Sequence, residues 1–587
     1  MILTWLLHAV YSTVFAFLLA HVFGGLGTWV AAFSLIFGYL LGRRHARFLF
    51  ASFPDWRLVG FHDGQQKPIE IALTVFVLYV GFRNFFWLLY PGDHQLSTLA
   101  ATNFGDLPMH VNFIRAFANG IEFPPRNPIY PMELLRYPYG VDLYNALWEA
   151  VGVRLQAHLF MVGLLATSAS LILLRSFAGW YGIGGFFLSG GLAGWQVLSG
   201  ARLQDFQSTV AWKNIFMAVF LTQRGMLFAL PMGLILLMAF RAHLNDSAPL
   251  GRRGQRILGL IWGFFPLFHL HAFIAVSVLL LALVIEHGGG LRAIVAFFTG
   301  RMARWAYLPA LALIYHSTKG FRAGSVVHWQ LGWTAKRDAN LEEFLHFLVQ
   351  NFGPWMFVPL LIAASLYLSK DLFDERQRRR LWIEFGLYFG LFILFFNLMF
   401  APWDWDNIKL LIWPYLGFTR VLWLVVEPRM GALLGFAERP FIAGTLFLSG
   451  IVAVTWTLQT PQGHSLGIYR TGDLANTEGA LVAVPANAVF AAAQSHQHSL
   501  TFFGRLRAVG YGGHIWSHGI DGQAATEKLE KLLKGDENYL QLARELGVTH
   551  IFWGPDERQI YGSAHHAFMD GLENVSRVPG YEIYAVK

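Results

Sequence analysis

Long apolar runs recur along this chain so often that a membrane bundle is the fold they dictate. A spanning helix needs about 20 mostly apolar residues, because its backbone polar groups must all be bonded within the segment. About thirteen stretches meet or approach that length. Their apolar cores are 2–22, 28–41, 71–90, 155–174, 180–198, 226–240, 257–268, 272–285, 305–315, 355–368, 381–400, 408–425 and 441–458. The shorter ones extend into their flanks, and 257–268 with 272–285 reads either as two crossings or as one re-entrant pair. Composition agrees: 55% of the 587 residues are hydrophobic and only 14% are charged, too few to cover a soluble protein of this length. The first run has no basic segment before it, so it reads as a membrane helix and not as a cleaved leader.

The net charge of +8 does not point to nucleic acid. The basic residues fall in short runs beside apolar stretches, the pattern that orients membrane proteins. With the N-terminus in the cytoplasm, four clusters share that side. They are Arg43-Arg44-His45-Ala46-Arg47, then Arg252, Arg253 and Arg256, the pair Arg301 and Arg304, and the run from Arg376 to Arg380. An odd count of spans puts the C-terminal tail outside; an even count would put it in the cytoplasm. Cysteine is absent, which excludes disulfides, thiolate metal sites and a cysteine nucleophile.

The opposite side carries long aromatic loops of mixed charge at 91–154, about 200–224, 317–353 and 401–407, followed by the tail. Loops of this length are functional or disordered, and their wealth of Trp, Tyr, Pro and His argues for order. The tail, 460–587, reads as a small α/β domain. Strand-like runs sit at Ala480–Val484, Thr549–Trp553 and Tyr581–Val586. Between the first two lies a helical stretch, Ala525–Leu546, stopped by Gly547. No Gly-x-Gly-x-x-Gly run and no P-loop is present, so no nucleotide cofactor is expected. The predicted architecture is thus an all-α multi-pass transmembrane bundle over 1–459, with large extracytoplasmic loops and a small α/β C-terminal domain.

Three outer segments carry residues suited to chemistry. In NFGDLPMH, Asp106 and His110 stand four apart, on one face if a helix begins near Pro108. They read either as an N-cap acid with a helix-surface histidine or as a carboxylate that takes a proton from a hydroxyl. In FPPRNPIYPMELLRYPYG, five prolines hold the chain extended, and Arg126, Glu133, Arg136, Tyr130, Tyr137 and Tyr139 line it. Cationic and aromatic side chains on a stiff backbone suit sugars and anions; an interfacial aromatic belt has the same composition. In APWDWDNIKLL, Asp404, Asp406 and Lys409 stand where a helix enters the membrane, and charges there need solvent or a partner. Lys409 suits a lipid-linked phosphate. The two acids either bind a divalent metal, hold Lys409 or act on substrate, so metal dependence stays open.

Weaker signals come from Gln204, Asp205, Lys213 and Arg224 in the second outer loop, and from His316, Lys319, Arg322 and His328 in the third. His269 and His271, two apart in a helical pattern, make a poor metal pair. In the tail, His514, His518 and Asp521 of GYGGHIWSHGID and Asp556, Glu557 and Arg558 of GPDER either complete an outer cleft or stabilise turns. No His-Glu-x-x-His or Gly-x-Ser-x-Gly motif occurs.

With these residues on the page, the chain resembles the GT-C class of polytopic membrane glycosyltransferases, which use polyprenyl-phosphate-linked sugars. GDLPMH, WDNIK, GHIWSHGID and THIFWGPDER look similar to bacterial members of unassigned substrate. The resemblance spans the whole chain in architecture and about 60 residues in motif. It implies that Asp106 is the catalytic base of an inverting transfer beside His110, and that Arg126, Arg136, Tyr137, Arg224, Asp404, Asp406 and Lys409 hold donor phosphate or substrate. It further implies a lipid-linked sugar donor, a glycan, lipid or protein acceptor, surrounding membrane lipids, and a bacterial inner membrane. An adjacent acid pair, common in the class, is missing at Asp106. The other reading of the same pattern is a non-enzymatic transporter, flippase or assembly subunit for lipid-linked glycans, although no internal repeat between the two halves supports it.

Overall fold

The computed structural model describes residues 2–52, 67–100, 102–204, 206–245, 250–318, 320, 327–332, 339–368, 370–401, 404–429, 438–458, 465–562 and 567–586. Asp205, Lys319 and Arg322 of the sequence reading lie outside them. The described chain is mostly helical, with a few small sheets, and forms two compact units. One comprises residues 1–10, 41–84 and 163–460; the other comprises 11–40, 85–162 and 461–587.

The first unit is a helical bundle. Among the described residues of the whole chain, five helices are long and apolar enough to cross a membrane: Ile2–Phe23, Leu155–Phe187, Met226–Leu244, Leu341–Leu368 and Asp406–Arg429. A sixth crossing arises if Pro440–Leu446 and Leu448–Thr457, bent by 77°, form one broken span. The thirteen crossings expected from the sequence are therefore supported only in part. The 257–285 region folds as Arg252–Gly263, Phe265–Phe268 and Leu270–Glu286, none as long as those five.

The helix Leu155–Phe187 is broken at Ala178 (φ −146°, ψ 24°) and Gly179 (φ 57°, ψ −148°), between the fourth and fifth apolar cores read from the sequence. Two demands meet at Gly179. Its φ lies where side chains are rarely tolerated, and an added Cβ would approach the Trp423 ring to 2.4 Å.

Charges inside this bundle are grouped. Arg241 contacts Glu286 at 2.7 Å and Glu384 at 2.7 Å, and Arg420 reaches Glu384 at 3.1 Å. Two guanidinium groups and two carboxylates thus neutralise one another across four helices. Arg420 also donates to the Phe177 carbonyl (2.7 Å), next to the helix break. Arg175 closes a second pair on the buried Glu70 (2.9 Å).

The second unit joins the 91–154 segment to the tail. A three-stranded antiparallel sheet runs in the order Tyr90–Gly92, Gln95–Thr98, Leu466–Arg470. The main sheet has five strands in the order Glu573–Asn574, Glu582–Ala585, His550–Trp553, Val489–Ala491, Leu506–Arg507. The last three are mutually parallel, and Glu582–Ala585 pairs antiparallel with both its neighbours. Helices Gln523–Leu533 and Tyr539–Glu545 bring Leu529, Leu532, Leu533 and Ala543 onto its apolar face.

Two sequence expectations fail here. Ala480–Val484 is not a strand: Thr471–Ala480 is a helix, and Leu481 and Val484 bury in the turn after it. The stretch Ala525–Leu546 is two helices parted at Gly535 (φ 80°). Gly547 does close the second one, at φ 64°.

The proline-rich segment is bound into this sheet. Arg126–Asn127 and Tyr130–Leu134 form a hairpin. The Pro128 carbonyl accepts from Arg507 N (2.9 Å), and the Ile129 carbonyl accepts from Gly510 N (2.8 Å). Ile129 and Tyr130 bury in the tail's core.

Candidate active site

The site in the second unit is built on the helix Asn103–Ala118. The helix starts at Asn103, ahead of Pro108, so Asp106 is a first-turn acid and not the N-cap; Thr102 stands at the cap. Asp106 is partly exposed and His110 is buried. The four-residue spacing places both on one helix face.

His110 is gripped by a residue that the sequence reading missed. Its Nδ1 lies 2.9 Å from Oδ2 and 3.1 Å from Oδ1 of Asp142, a first-turn acid of Gly140–Ala150. Both side chains are almost wholly buried. The carboxylate fixes the ring so that Nδ1 donates, leaving Nε2 as the acceptor; Nε2 has no protein hydrogen-bond partner. Nothing in GVDLYNALWEA distinguishes Asp142 from an ordinary helix-start acid.

The rings around this pair come from the outer loop and the tail. Tyr137 meets His110 edge-on at 6.0 Å and stacks on His518 at 5.0 Å. His518 lies 3.3 Å from Asn127 Nδ2, in the proline-rich hairpin. Tyr511 contacts both His514 and His496, and Phe104, on the Asp106 helix, contacts His496. Burial holds the His514 imidazole down to about 3, reinforced by the charges of His518, His496, Arg507 and His110. Burial also lowers Arg507 to about 10; its guanidinium donates to the Ala493 and Ser495 carbonyls. His496 is a second residue missed from sequence, since QSHQHS carries no recognisable spacing.

Other predicted residues of this unit sit apart from the pair. Arg126 is exposed on its strand, and Arg136 faces Glu133 at 3.6 Å. Tyr130 and Tyr139 are buried core residues and line no surface. Glu557 of GPDER is a clamp. It accepts from Ala493 N (2.7 Å), His498 Nε2 (2.9 Å) and Gly554 N (2.9 Å). Burial alone would raise its pKa, but His498 and these hydrogen bonds outweigh it and hold the carboxyl below its usual value.

In the first unit, Lys409 pairs with Asp406 at 2.7 Å, one turn apart on the helix Asp404–Val421. Of the choices open for Asp406, holding Lys409 is the one observed. Asp404 lies at the start of the same helix. His269 is the N-cap of Leu270–Glu286 and accepts from Ala272 N (3.1 Å); both His269 and His271 lie within electrostatic reach of Lys409. Arg224 is 1% exposed, in the turn before Met226–Leu244. Among the described residues no three His, Asp or Glu side chains are gathered as metal ligands.

No protein-family model and no curated protein sequence matches the chain. Two solved structures align with it over most of its length. The Archaeoglobus fulgidus oligosaccharyltransferase in its apo form aligns at TM-score 0.39 and 10% identity, over 82% of this chain and 69% of that one. ArnT from Cupriavidus metallidurans, bound to undecaprenyl phosphate, aligns at TM-score 0.42 and 14% identity, over 88% of this chain and 97% of that one.

Proposed function

We propose that the protein is a GT-C-like membrane glycosyltransferase that moves a sugar from a polyprenyl-phosphate donor to an acceptor hydroxyl on the extracytoplasmic side of a bacterial inner membrane. The observation that carries this reading is the buried His110–Asp142 pair one helical turn from Asp106. Asp106 accepts the proton of the acceptor hydroxyl. The oxygen forms its bond to the anomeric carbon as the bond to the phosphate oxygen breaks, with inversion. His110, oriented by Asp142, offers Nε2 as a second acceptor beside Asp106 and steadies the acceptor. We assign Lys409, Arg224, Arg126 and Arg136 to the negative charge of donor and leaving group, with Tyr137 as a sugar-facing ring, Asp406 as the support of Lys409 and Asp404 as a further substrate-binding acid. The domains are read as 1–459 for the membrane part and 460–587 for the tail.

The test is transfer from a pool of polyprenyl-phosphate sugars by the purified protein, beside Asp106→Asn. Loss of transfer in a variant that still folds and inserts supports the reading. Full activity in that variant sinks the base assignment. Translocation of a lipid-linked glycan by the wild type, with no transfer from any donor, would replace the enzyme with a transporter.

A further inference from the structure

Two of the basic clusters that orient the chain come together in the first unit. The end of the helix Thr28–Ser52 brings Arg44 and His45, and the start of Arg252–Gly263 brings Arg252, Arg253 and Arg256. With Trp305 they line a cavity of about 470 Å³. Among the described residues no carboxylate lines it, and none of the four arginines is in an ion pair. Two of them pack on rings instead: Arg253 lies 4.8 Å from the centre of Phe48 and Arg256 lies 5.7 Å from that of Trp305. Four cations thus share one pocket, with no acid among its described lining residues. Their field is felt by His45, which burial, then Arg253, then Arg44 push down to about 4.

The remaining wall is apolar. Ile257 and Leu260 line the cavity. From Trp305 a stripe of exposed apolar side chains continues along Arg301–Ser317 through Leu308 and Leu311 to Tyr315, at the three- to four-residue spacing of one helix face. Arginine side chains can hold a phosphate through forked, bidentate hydrogen bonds. A free phosphate has no use for the apolar stripe; a phosphate carrying an acyl chain uses both.

We propose that this pocket binds the headgroup phosphate of an anionic phospholipid, with the acyl chain laid along the Trp305–Tyr315 stripe. The basic side of a membrane protein faces the leaflet whose anionic lipids attract such segments, so pocket and ligand belong to the same surface. The site is independent of sugar transfer and stands or falls without it.

The experiment uses the full-length protein, exchanged from detergent into nanodiscs of phosphatidylcholine with or without phosphatidylglycerol. Lipid retained after re-extraction is counted by native mass spectrometry. Wild type is expected to keep phosphatidylglycerol and to lose phosphatidylcholine. The triple variant R252Q/R253Q/R256Q is expected to bind it at least about tenfold more weakly, as removal of charge-assisted bonds implies. The triple lysine variant is expected to keep part of the affinity, because the charge remains while the fork is lost. Trp305→Ala tests the chain-binding wall without altering charge and should also weaken retention. Equal retention of both lipids, or full retention by the triple glutamine variant, overturns the proposal. Displacement of bound lipid by millimolar inorganic phosphate overturns it too, in favour of a soluble phosphate ligand.

Discussion

At the residue scale, the pairing of His110 with Asp142 makes the sharpest prediction. Asp142→Asn keeps the shape but lets the amide favour the other imidazole tautomer, so Nε2 no longer presents a lone pair. Transfer is expected to fall by about two to four orders of magnitude, with little change in melting temperature, measured as initial rates beside a thermal melt. The shared helix face of Asp106 and His110 was legible in the sequence, because residues four apart on a helix stand one above the other. Asp142 was not: its partner is 32 positions away, and an acid in the first turn of a helix is ordinarily explained by the helix itself.

His514 supplies a second prediction at this scale. Its folded value is depressed to about 3, below the unfolded value of about 6.5. Between these values the unfolded chain binds the proton and the folded chain does not. Its contribution is therefore fully present above pH 6.5 and is lost as pH falls from there towards 3. The loss is at most about 1.4 kcal/mol per pH unit. Melting temperatures between pH 7 and pH 5 should fall for wild type and fall less steeply for His514→Gln. Equal slopes would remove His514 as the source.

At the element scale, the Arg241, Glu286, Glu384 and Arg420 group fixes four helices against one another. Glu384→Ala would leave Arg241 with Glu286 as its carboxylate and Arg420 with the Phe177 carbonyl in place of an ion pair. It should cost about 3–5 kcal/mol, seen as a lower melting temperature in detergent and a smaller folded yield. Glu384→Gln, which keeps the hydrogen-bonding shape, should lose less. This group could not be read from sequence: each charge sits near the end of an apolar run, where a solvated interfacial position is the ordinary explanation. The tail's strands at 550–553 and 582–585 were legible from their apolar, β-rich composition. Ala480–Val484 has the same apolar composition but buries Leu481 and Val484 from a turn, and a short apolar run alone cannot separate the two.

At the scale of the whole molecule, the proposed orientation rests on the clustering of basic residues. The absence of cysteine makes it directly measurable, since any introduced thiol is unique. Lys534→Cys in the tail should react with a membrane-impermeant maleimide in intact spheroplasts, and Arg376→Cys only after lysis. The opposite pattern would reverse the topology and move the Asp106 helix to the cytoplasm with the tail. The bundle was foreseeable from hydropathy, but the number of crossings was not. Short apolar helices such as Leu270–Glu286 pack into a bundle with the same composition as a span.

The second unit is assembled from stretches far apart in the chain. Gln95–Thr98 finds its second strand partner in Leu466–Arg470, and Arg115 donates to a carbonyl 387 positions later, at Phe502. During synthesis the outer loop therefore emerges long before the segment that completes it, and one edge of its first hairpin stays open through the insertion of the bundle. Unpaired edges of this kind invite wrong partners. Biogenesis of this protein should accordingly depend on a holding factor on the side where the loop emerges, and a ribosome stalled before the tail should leave a nascent chain that aggregates or is degraded.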